Sequence, residues 1–209
     1  MVKATCPSCA APLAFTSKVS LYVVCESCRS LVLRKDLDVE KVGEVAELAD
    51  DGTPIQLGVT GRFRERGFRV IGRIQLRFPY GYWNEWHVDF SDGGVWWLGE
   101  TQGNYAVTRL VAPREKIPAL EEIRTGLPVT LEGEPFSVKD VQSARCVSGE
   151  GELPFSFEGG YEAPVVDLAG RGRRFATLDY SEQPALAFVG ENCEFEELKL
   201  QNLRRFEGW

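Results

Sequence analysis

From Ile55 onward the apolar residues come in short runs broken by Gly, Asp and Pro, which is the signature of antiparallel β structure. Phe68 and Val70, joined after a shift of phase by Ile71 and Ile74, make one strand. Tyr82, Trp86, Val88 and Phe90 share one face of the next, because successive side chains of a strand point to opposite sides. Trp83, Glu85, His87 and Asp89 therefore share the other face. Ser91-Asp92-Gly93-Gly94 is a hairpin turn in which Gly supplies positive φ without a Cβ clash, and Val95-Trp96-Trp97-Leu98 returns beside the first strand.

Ahead of this region the pattern differs. Val39, Val42, Val45, Ala46 and Ala49 recur at three- and four-residue spacing behind Asp36 and Asp38 as N-caps, and this predicts a short connecting helix. Gly43 weakens it by about 1 kcal/mol relative to Ala, and the run 50–54 ends it. Further upstream, the short apolar pieces 12–15, 21–24 and 31–33 are strand candidates by their β-branched and aromatic content.

The second half of the chain echoes the first. Gly67-Phe68-Arg69-Val70 returns as Pro135-Phe136-Ser137-Val138, Asp89-Phe90 as Asp167-Leu168, and Gln102-Gly103 as Gln183-Pro184. The second copy is longer, and its excess falls in the Gly- and Glu-rich stretch 148–160, which reads as a longer loop. The organisation expected is mainly β: a zinc ribbon over 1–35, a short helix and linker over 36–54, and a β-rich body. That body divides into two related antiparallel subdomains, 55–112 and 129–209, joined by a linker over 113–128.

Four of the six cysteines form two close pairs, Cys6-Pro7-Ser8-Cys9 and Cys25-Glu26-Ser27-Cys28, separated by fifteen residues. In a reducing compartment that spacing reads as metal binding before it reads as disulfide. A two-residue gap lets both thiolates of one turn approach a common Zn²⁺ at about 2.3 Å, and the longer arm brings the second turn opposite. Four thiolates fill the coordination sphere, so the site is structural and its binding energy becomes folding energy. Two disulfides, or one iron held by the same four thiolates, are the alternatives. Many such turns place Gly after the second Cys for a left-handed backbone, and here Ala10 and Arg29 stand there. Cys146 and Cys193 have no nearby Cys or His and read as buried core thiols.

Charge narrows the function classes. The net charge is -7, yet residues 1–35 carry five Lys or Arg against one acid, and the remainder carries 19 basic against 30 acidic residues, or -11. Such a body repels phosphates, so nucleic-acid recognition by the ribbon is a minor alternative. No stretch approaches the roughly 18 to 20 apolar residues of a membrane helix, and the start lacks the apolar region of a signal peptide, so a cytoplasmic protein without membrane insertion is expected. There is no phosphate-cradling G-x-x-x-x-G-K-[ST] loop and no G-x-S-x-G elbow. His87 is the single histidine, so any Ser-His-Asp or His-ligated metal chemistry would run through it.

The densest aromatic stretch, 80–87, faces Trp96-Trp97 across the predicted hairpin. One face of it is core. The other either packs under a neighbouring domain or forms an aromatic groove, drawn from Tyr82, Trp83, Glu85, His87, Asp89 and Trp96, for a cationic ligand or a protein partner. A deep pocket holding a Glu of raised pKa would favour an enzyme built on Trp83, Glu85, His87 and Asp89, and a shallow groove would favour binding.

The residues also carry a family resemblance. Val42-Gly43-Glu44-Val45-Ala46-Glu47-Leu48, Gly81-Tyr82-Trp83-Asn84-Glu85-Trp86, Trp97-Leu98-Gly99-Glu100-Thr101-Gln102-Gly103 and Val189-Gly190-Glu191, behind the paired cysteines, resemble the bacterial domain-of-unknown-function family 4178. The likeness runs from about Leu48 to Leu203 and implies no activity or catalytic residue. The expectation is a non-catalytic adaptor or ligand-binding component of a bacterial cytosolic or membrane-proximal assembly, with a structural zinc site.

Overall fold

The computed structural model describes residues 1–35, 38–157 and 160–206. The N-terminal module is made of hairpins. β1 (Val2–Thr5) pairs with β2 (Pro12–Phe15), and β3 (Tyr22–Val24) pairs with β4 (Ser30–Lys35), each hairpin turning through one cysteine pair. Phe15, Val23 and Val32 pack with Cys6 and Cys25 into a small core of their own.

Over 38–49, the described part of the predicted helix, no helix forms. Asp38–Glu44 is a strand, β5, paired antiparallel along β4, while Asp36 lies outside the described residues. Periodicity alone did not separate the two outcomes, because Val39 and Val42 suit either. What decides it is the open edge of β4, whose backbone groups need partners, together with the poor helix propensity of Val and Gly43. The resulting edge is charged: Lys41 pairs with Glu44 at 2.6 Å and Lys35 with Glu40, which discourages further strand addition.

The body begins with the short β6 (Thr60–Phe63), which folds back on β7 (Arg66–Phe78). β8 (Gly81–Asp89), β9 (Trp96–Thr101) and β10 (Asn104–Val111) continue as an antiparallel meander. The second half repeats this order: β11 (Pro128–Leu131) folds back on β12 (Glu134–Leu153), and β13 (Glu162–Ala169), β14 (Arg174–Asp179) and β15 (Leu186–Cys193) follow. β10 pairs with β15 and β12 pairs with β7, so the two meanders close into one eight-stranded antiparallel barrel and share a single sheet system. No α-helix occurs among the described residues; two short 3-10 turns, Leu120–Glu122 and Phe195–Leu198, complete the elements.

The registers of the halves correspond closely. Phe63 opposes Arg66 as Leu131 opposes Glu134, and Val70 opposes Val88 as Val138 opposes Leu168. A β-bulge follows Val70 in β7, and another follows Val138 in β12. The sequence match of Asp89 with Asp167 is therefore two residues out of register: Asp167 opposes Asp140 as His87 opposes Gly72. The stretch 148–160 is also not simply a loop. Residues 148–153 extend β12, pairing with β7 along one edge and with β3 along the other.

Each meander turns one face outward onto its own core. Val70, Trp86, Val88 and Leu98 lie under Ile55, Val59 and Leu198. Val138, Leu168, Ala176 and Leu178 lie under Ile123 and Leu127. The opposite faces meet inside the barrel.

Candidate functional site: an acidic lumen and a four-cysteine cluster

Strand alternation, reset by the bulges, decides what the barrel contains. In β12 the extra residue Lys139 reverses the phase: Val138 points outward into its core, whereas Asp140 and Gln142 line the interior. In β7 the same device follows Val70, so that Ile74 and Leu76 face inward. β8 contributes Trp83 and Glu85, β13 contributes Val165 and Asp167, and β14 contributes Phe175 and Thr177. These side chains surround a cavity of about 680 Å³ that opens between the β7–β8 and β9–β10 turns, with Phe78 and Tyr80 at its rim. A smaller pocket of about 70 Å³ continues below Trp83 and Glu85. Trp97, Phe155 and Tyr161 line it, and Asp179 adds another carboxylate.

The described residues lining these cavities include no Lys, Arg or His. The acids therefore repel one another in a partly dry space. Burial, and after it the charge of Asp167, pushes Glu85 up to about 8, although Trp83 donates its indole N–H to the carboxylate at 3.2 Å. Burial likewise pushes Asp167 up to about 6, with Asp140 adding repulsion and the Thr177 hydroxyl, 3.2 Å away, working against the shift. Both carboxyl groups are thereby held toward the protonated form, Glu85 more strongly than Asp167.

Of the six residues singled out on the aromatic stretch and its hairpin partner, the structure brings two into the cavity, Trp83 and Glu85. His87 lies deeper, fully buried, with its ring 5.2 Å from that of Trp97 and its Nδ1 2.9 Å from the Glu152 carbonyl. Nδ1 is thus the protonated nitrogen, and burial holds the imidazole below its ordinary value and neutral. Asp89 sits at the far end of β8, accepting the Ser91 N–H at 2.9 Å and facing the Ser17 hydroxyl at 3.4 Å. Tyr82 points outward and is exposed. Trp96 lies outside the barrel, tilted against Phe90 at 4.8 Å between ring centroids, with the Arg66 guanidinium over it. The face of Trp83 and Glu85 is thus roofed by the second half of the same barrel. Asp140, Asp167 and Asp179 escape a reading of the first half alone, because the strands that carry them join the site only through barrel closure.

The four cysteines converge. The Sγ atoms of Cys6, Cys9, Cys25 and Cys28 all lie within 4.8 Å of one another, with Cys6 to Cys28 and Cys9 to Cys25 both at 3.7 Å. An S–S bond is about 2.05 Å long. Thiolates at about 2.3 Å from one tetrahedral ion stand roughly 3.7 Å apart, so the donor set fits a metal ion. Both turns are built alike. Ala10 donates to Cys6 O at 2.9 Å and Arg29 to Cys25 O at 2.8 Å, and Cys6 and Cys25 donate to Ala11 O and Ser30 O. Ala10 and Arg29 take the left-handed conformation, φ 62° and 57°, that Gly adopts freely. Each costs roughly 1 to 2 kcal/mol, a strain the turn geometry must offset. Without an ion the clustered thiols share their protons unequally: hydrogen bonding to Ser30, whose hydroxyl lies 3.3 Å from the sulfur, lowers Cys28, while hydrogen bonding to the neighbouring thiols raises Cys9.

Comparison with known proteins adds a family assignment without a described relative: no curated protein and no solved structure matches the chain. The stretch that does match, residues 56–195, starts just before β6, ends just after β15 and leaves the four-cysteine module outside. By that match the chain belongs to the family described as a domain of unknown function, DUF4178.

Proposed function

We propose that this chain is a ligand-binding protein whose barrel lumen takes up a small organic cation, and that its four cysteines hold a structural zinc ion. The single observation carrying the first statement is the composition of the cavity wall: Glu85, Asp140 and Asp167 with Trp83, Phe175 and Tyr80, and no basic side chain among the described lining residues. Carboxylates crowded without counter-charge favour a cationic guest, and aromatic faces attract the same charge through their quadrupoles. A cation entering the lumen would draw the proton off Glu85, converting repulsion into attraction. The matching registers of the two meanders support reading them as copies of one unit that have diverged, the first supplying Trp83 and Glu85 and the second the aspartates. An adaptor role in a cytosolic or membrane-proximal assembly fits a ligand-sensing barrel joined to a small metal module.

One observation favours a second reading. A deep pocket holding Glu85 at about 8 and Asp167 at about 6 sets two carboxyl groups apart in the way that acid and base partners require. Titration calorimetry separates the two readings. Butylammonium and tetramethylammonium should bind the native protein, whereas butanol and butyrate should not, and Glu85→Gln should weaken the cations by about tenfold, or about 1.4 kcal/mol. Equal binding of charged and neutral probes would refute the cation reading. A turned-over substrate whose affinity survives Glu85→Gln while turnover is lost would establish the catalytic one.

A further inference from the structure

The added stretch of β12, residues 148–153, serves two partners. Along one edge, Ser148, Gly149, Glu150 and Gly151 oppose Gln75, Ile74, Arg73 and Gly72 and close the barrel. Along the other, Gly151, Glu152 and Leu153 oppose Val24, Val23 and Tyr22 of the cysteine module. The chain then runs directly into Phe155 and Phe157, which pack with Trp97, Ile74 and Cys146 beneath the lumen.

The second cysteine turn and the segment that follows β2 both hold this stretch through side-chain hydrogen bonds. Arg29, the residue after Cys28, donates to the Ser148 hydroxyl at 3.2 Å, to Gly149 O at 3.1 Å and to Ala46 O. Arg29 is also the residue whose backbone closes the second turn in the left-handed region. The Glu152 carboxylate accepts the Thr16 N–H at 2.8 Å, the Ser17 N–H at 3.2 Å and the Thr16 hydroxyl, and these two residues directly follow β2. The carbonyl of the same Glu152 receives His87, whose ring lies against Trp97, and Trp97 in turn lies 5.8 Å from Phe155.

We infer that the metal module is the lock on the floor of the lumen: with its ion bound it fixes residues 148–157, and losing the ion loosens the floor and weakens ligand binding above it. The inference rests on the lumen reading and the metal site above. Its physical warrant is that small four-thiolate modules draw much of their folding energy from the ion, so metal binding is felt by the contacts that Arg29 and Glu152 make. The lock would make ligand uptake sensitive to metal supply.

Hydrogen exchange on the full-length, metal-loaded protein tests this without any ligand. Chelation under reducing conditions should raise exchange in residues 1–35 and in 148–157, by on the order of tenfold or more in the latter, and leave β13 and β14 protected. Exchange confined to 1–35 would overturn the lock, and so would uniform loss of protection through both meanders. Arg29→Ala combined with Glu152→Ala touches no metal ligand; it should keep one metal per chain yet show the loosened floor with the metal in place. A floor as protected as in the native protein would count against the proposal. Tetramethylammonium titration of the same samples keeps the two readings apart: a floor that loosens on chelation in a protein that never binds the cation would uphold the lock and remove only the ligand class.

Discussion

At the scale of single residues, Glu85 joins the physics of burial to a measurable property. Its folded value of about 8 stands against an ordinary 4.5, so between those limits the folded protein keeps a proton that the unfolded chain has released. Stability must then fall as pH rises through that window, at up to about 1.4 kcal/mol per pH unit, and level off above about 8. Asp167 adds the same sign between about 4 and about 6. Urea unfolding at pH 5, 6.5 and 8 should show this loss in the native chain and a flat profile above pH 6.5 in Glu85→Gln. The buried polar seam outside the barrel obeys the opposite logic. Burial works against the charge of Asp51, but the Asn84 amide and the Arg73 guanidinium hold it below the usual carboxylate range. Asn84 in turn donates to Glu100, as do Trp86 and the Thr53 hydroxyl. Removing Arg73 would strand Asp51, so Arg73→Met should cost about 3 to 5 kcal/mol in chemical unfolding.

At the scale of elements, the two bulges matter more than any strand's composition. The bulge after Val138 was invisible in the sequence because Lys139 is an unremarkable residue between strand formers. Deleting Lys139 would restore strict alternation and turn Asp140, Gln142, Ala144 and Cys146 out of the lumen. The deletion should destabilise the fold by about 3 kcal/mol or more and abolish the cooperative transition seen by near-ultraviolet dichroism. In β7 the shift was signalled by Ile71, which breaks the alternation of Phe68 and Val70, although Ile74 shares their parity and only the bulge turns it inward. The cysteine spacing was legible as well, and so were β2, β3 and β4, whereas β1 carries no apolar run that announces it. Metal analysis of Cys9→Ser should show the ion lost and the module unfolded; unchanged metal content would refute the four-thiolate site. The failed helix over 36–49 teaches the converse: a short amphipathic run has no fixed identity until a sheet edge claims it.

At the scale of the whole molecule, two seams join the meanders. At the β10–β15 seam a Cβ built on Gly190 would lie 1.8 Å from the Val107 carbonyl oxygen. At the β7–β12 seam one on Gly72 would lie 1.9 Å from the Glu152 carbonyl oxygen. Both glycines are required by close backbone approach, not by turn conformation. Gly190→Ala should therefore cost more than about 4 kcal/mol or prevent closure outright, measured as a lowered urea midpoint. Gly190 belongs to a motif already visible in the chain, yet nothing local announced its reason.

What the sequence determined by itself was everything encoded at short range: the cysteine turns, the β alternation, the turn glycines, the division of β8 into a core face and a face bearing Trp83 and Glu85, and the echo between halves. All but the echo depend on residues within one or two strands of one another, and the echo is a comparison of local patterns. Tertiary structure alone decided that the halves close into one barrel, that Asp140, Asp167 and Asp179 join Glu85, and that residues 148–153 bind the module to the barrel. Each of these is a pairing between segments tens of residues apart, chosen by the competition of all edges for backbone partners, and no local pattern records the winner.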